Sequence, residues 1–503
     1  MNMLRTSALT SAVLGLLPLL PAQGLSLDKS GGAIGGSADF RLQGPPNALH
    51  LVLVAFNEVS TPVPWLGITL DIPTTFFGES MSIPGSLGFL DANGAAAATL
   101  AIPDDTALAG LCVSAQGIAD ASPFIVSNLV RVTLQERGKF AAPLHQPLLP
   151  IGGGGAVAAP NGGVTFVGGA GPLALRYKSR TEEWSFAGTT VSVGQYSQTT
   201  GLSDGRVLIT GGLSLLGQPT ATAAIYDPVA QTTTQLQMNA ARAGHGASLM
   251  GDGRVLITGG FATLDFNLQN AFGTLLGTTE TFDPASNTFV PGPTMLESRA
   301  WHSSTTLTNG QVLIAGGLSQ VPLVNVPTVS ATAYRFNPAT NSFGLPAVFA
   351  GGRFLHSAVP LSDGKVLLVG GASIDFAAYL VSQNIADLAI ETRSDCQLYS
   401  PSLFGFGTFA TVSGMQEGRA GAAVAPLPGG RALIAGGFQL AIAPGTLTFQ
   451  FVPTASADLF ERGPNRIEAT GSMAVARQNP MAVNLPDGTV MVVGGFGAEI
   501  YQE

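Results

Sequence analysis

Counted back ten residues from a recurring Asp-Gly-type turn, the same side chain stands in five places along this chain: Arg242, Arg299, Arg353, Arg419 and Arg477. Two further copies of the turn have Ile151 and Gly194 there. Counted back seven, three copies carry His245, His302 and His356, and others carry Ser197, Ala422 and Pro480. A guanidinium is a planar fork suited to carboxylates and sulfates, so five of them converging on one mouth make a cationic funnel for acidic ligands. The competing reading is that each Arg caps carbonyls or pairs with an acid once per repeat, because repeat-wide residues commonly serve the repeat. The three His have a metal reading, since equivalent positions in adjacent repeats come close in space. Zinc, however, needs close ligands with carboxylates behind them, and once-per-repeat bonding to a neighbouring backbone is the alternative. No catalytic residue, metal or cofactor is assigned.

The element that must position these residues is the stretch Asp204-Gly205-Arg206-Val207-Leu208-Ile209-Thr210-Gly211-Gly212. It returns at 252–260, 309–317, 363–371, 429–437 and 487–495, with a weaker copy at 161–169. Each copy has a turn pair, five residues dominated by Val, Leu and Ile, and two glycines. Seven copies spaced 43 to 66 residues apart are the signature of propeller blades. A full unit adds a third strand such as Thr279-Glu280-Thr281-Phe282-Asp283-Pro284 and a fourth such as Thr288-Phe289. Four antiparallel strands cannot bury both faces alone, and stacking around an axis buries them. By period-2 logic the second-strand aliphatics and the third-strand aromatics are core. In an antiparallel pair the Arg and the double glycine fall at one end, so the arginines ring one mouth. The inserts Phe261 to Gly277, Leu318 to Ser330, Ala372 to Asp395 and Phe438 to Ser456 project from that face. They either carry binding, as loops on one face of a scaffold often do, or pack on one another and on the preceding domain.

Composition bounds the remainder. The chain has 503 residues, 65 Gly, 33 Pro and only 11% charged residues, which suits short strands and many turns. A net charge of -9 excludes a nucleic-acid partner, whose phosphates demand a basic surface. Residues 1–24 read as a signal peptide: Arg5 precedes the apolar run Ala8 to Leu20, and small residues follow at Ala22 and Gly24. With no later run long enough to span a bilayer, the protein is expected to be secreted, periplasmic or at the cell surface. A monomer is expected. Cys112 and Cys396 fall in different domains and read as buried thiols rather than as a disulfide.

Residues 25–137 lack the repeat. Apolar runs at 49–56, 67–72, 86–90, 95–102, 111–116 and 129–134, separated by turn clusters, predict a small β-sandwich. Asn93-Gly94 ahead of the Ala-rich stretch predicts a hairpin. Residues 138–503 are expected to form the propeller. Because the chain stops after the third strand of the seventh unit, 138–147 is expected to supply the missing strand and close the ring.

The double glycines, the aromatic before Asp/Asn-Pro and the fourth-strand aromatic (Trp184, Phe289, Phe343) resemble the kelch-repeat family of β-propellers. The resemblance covers about 139–503, departing from the family in its single fourth-strand Trp and long inserts. It implies an all-β, seven-bladed kelch-type β-propeller after a small β-sandwich, in the galactose-oxidase-like superfamily. Kelch propellers that bind peptides use arginines at the innermost strand, which favours a module binding a glycan or protein ligand with acidic groups. The alternative is a galactose-oxidase-like or other carbohydrate-active enzyme. Such a copper site needs a Tyr crosslinked to Cys, a second Tyr and two His. Here Cys396 lies on a third strand away from the mouth and Cys112 lies outside the propeller. Sialidase-like chemistry needs a Tyr nucleophile with a Glu base, and Tyr196 near the mouth has no acid paired with it in sequence. A structural surface protein is the third class.

Overall fold

The structure, a computed structural model, describes residue 151, residue 384 and residues 24–147, 154–158, 163–168, 172–191, 194–264, 273–321, 326–382, 387–402, 406–442, 449–494 and 497–502. The expected signal peptide therefore lies outside the described residues, apart from Gly24. The chain divides into two compact units at Leu134/Gln135. Among the described residues two short α-helices, Phe77–Met81 and Ala377–Ser382, stand among strands throughout. Among the described residues no helix is long and apolar enough to cross a membrane.

Besides the two-stranded pair Thr61–Val63 with Ile68–Leu70, the first unit holds two larger antiparallel sheets. One is ordered Ser26–Gly31, Ser37–Gln43, Ala95–Ala101; the other Val130–Thr133, Cys112–Asp120, Leu49–Ala55, Leu87–Phe89. Both contribute to one core, with Leu27, Phe40 and Ala98 meeting Val52, Val113 and Val130. The hairpin expected at Asn93-Gly94 is corrected. Leu87–Phe89 pairs in one sheet and Ala95–Ala101 in the other, so the turn carries the chain between sheets. The Asp91 carboxylate accepts from the Asn93 and Ala95 amides at 2.8 Å and closes the turn, while the strands it joins diverge.

In the second unit the repeats form seven antiparallel sheets among the described residues, six of four strands and one, the fourth, of five, because Ala347–Val348 also pairs with Thr332–Asn337. Sheets one to six begin with first strands Gly155–Ala158, Gln198–Gly201, Gly246–Leu249, Ser303–Thr306, Ser357–Pro360 and Ala423–Leu427. Sheet seven has Met481–Asn484, Val490–Gly494 and Gly497–Gln502, and its outer strand is Lys139–Ala141, with Phe140 opposite Tyr501. The first strand of each sheet lies against the first strand of the next, and that of sheet seven against that of sheet one. Cores form between neighbours: Leu208 and Ile225 of sheet two meet Val255, Ile257 and Phe282 of sheet three. The third-strand aromatics Tyr177, Tyr226, Phe282, Tyr399 and Tyr501 are all buried.

The double glycines join the sheets. Both members of the pairs at 211, 259, 316, 370 and 436 have left-handed φ. At Gly259 a Cβ would also run into the backbone carbonyl of Arg299 in the next sheet, so only glycine fits. The second glycine then donates its N–H to that same carbonyl, as Gly260 does to Arg299 at 2.9 Å and Gly371 to Arg419 at 2.9 Å.

Beyond the glycines, the inserts form hairpins. These are Phe261–Leu264 with Gly273–Leu275, Leu318–Val321 with Val326–Val329, Ala372–Asp375 with Ala389–Thr392, and Phe438–Ile442 with Phe449–Pro453. They pack on one another: Phe261, Leu318, Ile374 and Phe438 share one buried apolar cluster. The Thr392 hydroxyl also accepts from the Leu440 amide at 2.8 Å.

Candidate functional site

Each repeated arginine precedes the first strand of its sheet and turns its guanidinium back into that sheet. Arg242 gives Nη1 to the Gly259 carbonyl at 2.8 Å and the Thr278 carbonyl at 3.0 Å, and Nη2 to Glu280 at 3.1 Å. Arg299 reaches Gly316, Thr332 and Glu297. Arg353 reaches Gly370 and both the carbonyl and carboxylate of Asp395. Arg419 reaches Gly436, Ser456 and Asp458, and Arg477 reaches Gly494 and Glu499. One side chain thus ties together the start of the first strand, the end of the second and the start of the third. Arg299, Arg353 and Arg419 are 0% exposed, and their Nε atoms are buried without a partner. Burial lowers the pKa of the Arg242, Arg299, Arg353 and Arg419 guanidiniums, while the facing carboxylates oppose that shift. A shared charge-assisted network of this kind fixes geometry. The guanidiniums face their own sheets, with their ion-pairing capacity taken up by carboxylates. They do not open toward solvent as a cationic funnel.

The three histidines sit across the joints between sheets. His245 Nε2 meets the Thr210 hydroxyl of sheet two at 2.9 Å, and His302 Nε2 meets Thr258 of sheet three at 2.8 Å. Sheet four has Ala315 where those threonines stand, and His356 Nε2 bonds instead to Ser303, paired opposite Ala315, at 2.9 Å. Burial first, and then the neighbouring arginine, lowers the pKa of His245 and of His356 to about 3 and that of His302 well below its usual value. The rings are therefore neutral. A cavity of about 160 Å³ beside them is lined by Gln198, His245, His302, Ser303, Ser304 and Thr305, among others.

Two residues after each arginine, and after Gly194 in sheet two, the backbone turns left-handed: Tyr196 (φ 61°), Gly244 (62°), Trp301 (53°), Leu355 (53°), Gly421 (56°) and Asn479 (46°). Their backbones bond from sheet to sheet. Gly244 donates to Tyr196 at 2.9 Å, Trp301 to Gly244 at 2.8 Å, Leu355 to Trp301 at 3.0 Å and Gly421 to Leu355 at 2.8 Å. A Cβ on Gly244 would meet the Trp301 indole at 2.7 Å. Lacking one, Gly244 lets Trp301 reach over it to Tyr196, with ring centroids 5.4 Å apart. Phe261 and Phe354 pack against the same indole. Burial raises the Tyr196 phenol pKa. Tyr196 was visible in the sequence as a residue near the mouth. Trp301 and Leu355 were missed, although bulky side chains at a position that is glycine in two other repeats were a legible signal.

A bound transition metal needs converging donors. Each imidazole Nε2 is engaged by a hydroxyl, and the Cε1 edges of the His245, His302 and His356 rings lie against the first glycine of the preceding sheet. Cys396 is buried on a third strand, its thiol pushed up to about 12 by desolvation. Among the described residues no group of three or more His, Cys, Asp or Glu is placed to hold a metal ion. The donor set does not fit a copper centre of the Tyr-Cys, Tyr and two-His kind.

No family model matches the chain, and no curated protein matches it. Among solved structures it is similar to a fungal alcohol oxidase of the AA5 family, determined in complex with copper. The two share 18% identity over 73% of this chain and 76% of that one, with a TM-score of 0.52. At that identity the likeness is one of fold.

Proposed function

We propose that this chain is an exported, seven-bladed kelch-type propeller of the galactose-oxidase-like kind, and that it binds a ligand where Tyr196 and Trp301 meet. The seven sheets whose first strands touch in cyclic order support the architecture. The observation that carries the binding reading is the left-handed backbone of Tyr196, Trp301 and Leu355. Glycine meets the same backbone requirement at 244 and 421, so bulky residues there accept a strain of roughly 1–2 kcal/mol each. Strain of this kind collects at ligand sites. With the arginines committed to their own carboxylates, ligand recognition falls to the aromatic pair, and the arginines hold the strands that present it.

The test is a glycan array with matched intrinsic-fluorescence titrations, comparing the wild type with Trp301→Ala and Tyr196→Ala. Binding lost in both variants, while unfolding remains cooperative, supports the reading. Binding retained in both sinks it. The likeness to an alcohol oxidase favours a second reading, a carbohydrate-active oxidase on the same scaffold. Its test is metal content after purification without chelator, together with peroxide release from sugar alcohols. Stoichiometric copper with turnover would replace the binding reading.

A further inference from the structure

The histidines are distributed unevenly. They occupy three consecutive joints, two to three, three to four and four to five, and each bridges its joint with one hydrogen bond. At the same position the following joints have Ala422 and Pro480, which cannot titrate. The Nδ1 atoms of His245, His302 and His356 are buried without a hydrogen-bond partner, and only at His356 does a backbone group, that of Arg353, favour a second proton on the ring, against the stronger effects of burial and the Arg353 charge.

The charges around the rings add to this. His245 faces Arg242 of its own sheet and Thr210 of the preceding one. His302 faces Arg299, Thr258 and the other two histidines. His356 faces Arg353, Arg299 of the preceding sheet and Ser303. Every titratable group bearing on the rings is thus a guanidinium or another imidazole. The nearby carboxylates, Glu280, Glu297 and Asp395, are engaged by the arginines. A proton entering a closed joint finds repulsion and no counter-charge.

We propose that the joints linking sheets two to five form an acid-sensitive arc, which parts on acidification before the joints linking sheets five to seven. The sign follows from linkage. Closed, the rings stay neutral down to about pH 3 for His245 and His356; opened, they take protons from their ordinary value of 6.5 downward. The closed joint is therefore fully stabilised above pH 6.5 and loses that stabilisation as the pH falls toward 3. Each opened histidine favours the open joint about tenfold per pH unit below 6.5, or roughly 100-fold at pH 4.5.

The experiment is hydrogen exchange by mass spectrometry on the full chain between pH 7 and 4.5, corrected for the intrinsic rate. Protection in the second strands Val207–Thr210, Val255–Thr258 and Val312–Ala315 is expected to fall about 100-fold more than in Ala432–Ala435 and Val490–Gly494 of sheets six and seven. His356→Gln removes the titration while keeping a donor and an acceptor, and it should flatten the pH response of the four-to-five joint alone. Uniform loss around the cycle, or no loss at all, overturns the proposal even where the variant fails to fold. An unaltered pH response in a folded His356→Gln protein overturns it equally.

Discussion

Sheets three to seven begin on an arginine, whereas sheets one and two begin on Ile151 and Gly194. The difference extends to the partner strand. In the register of the second and third strands, Glu280 faces Ile257, Asp458 faces Ile434 and Glu499 faces Val492. The matching residues of sheets one and two are Leu175, facing Phe166, and Ala224, facing Ile209. Sheets four and five place their acids elsewhere, at Glu297 and Asp395, yet these still reach the arginine. Cation and anion are therefore present together or absent together. A buried charge without its partner costs several kcal/mol, whereas an apolar substitute for both costs little. That pairing marks the arginines as clamps, each matched to its own sheet, and explains why a residue recurring five times need not be a ligand site.

The comparison breaks most sharply at Arg419, which is 0% exposed over an Asp458 that is 1% exposed. Arg419→Ala leaves that carboxylate buried and unpaired, so a loss of about 3–5 kcal/mol is expected in denaturant unfolding. The Asp458 pKa is already raised by desolvation, against the pull of Arg419, and removing the arginine raises it further. A carboxyl with a raised folded pKa stabilises at low pH and loses that contribution as the pH rises. The deficit of Arg419→Ala should accordingly shrink on mild acidification. The converse experiment is Ala224→Glu, which sets a carboxylate at the same register in a sheet without an arginine. It should cost a similar amount, and a neutral effect would show that the clamp is not a matched pair.

A smaller effect is expected where the glycines meet the clamps. Gly259→Ala combines a left-handed penalty of about 1–2 kcal/mol with overpacking against the Arg299 carbonyl, for roughly 2–4 kcal/mol in all. Gly217, left-handed in a loop with open space at its Cβ position, should lose only the first part on substitution by Ala. Equal costs at the two sites would remove the steric half of the argument.

These features were unequally legible in the sequence. The second strands could be read because Val, Leu and Ile followed by two glycines recur in phase, and the physics behind that pattern is local. The arginine was legible as a position and its orientation was not. Whether a guanidinium points outward or inward depends on an acid up to 42 residues away, as between Arg353 and Asp395, and that acid shifts place from sheet to sheet. The turn at Asn93-Gly94 misled for a related reason. Its local chemistry fits a hairpin, yet the strands on either side find partners in different sheets. Trp301 stood between an arginine and a histidine that drew attention to themselves, and its meaning lies in a dihedral angle that no side-chain pattern states.

The smallest expected effect tests that angle directly. Leu355 and Phe354 are neighbours in one segment and touch the same apolar cluster, but only Leu355 has a positive φ. Truncation to Ala or to Gly removes most of the side-chain packing in either case, so the difference between the two truncations isolates the backbone. At Leu355 the left-handed penalty of about 1–2 kcal/mol exceeds the roughly 0.4–1 kcal/mol that glycine loses in chain entropy. Leu355→Gly should then be more stable than Leu355→Ala by about 0.5–1 kcal/mol. At Phe354 only the entropy remains, and the order should reverse. Paired thermal or denaturant unfolding of the four variants measures both signs. If Ala is the better substitute at both positions, the backbone at 355 is not strained, and the argument that places a ligand beside Tyr196 and Trp301 loses its physical basis.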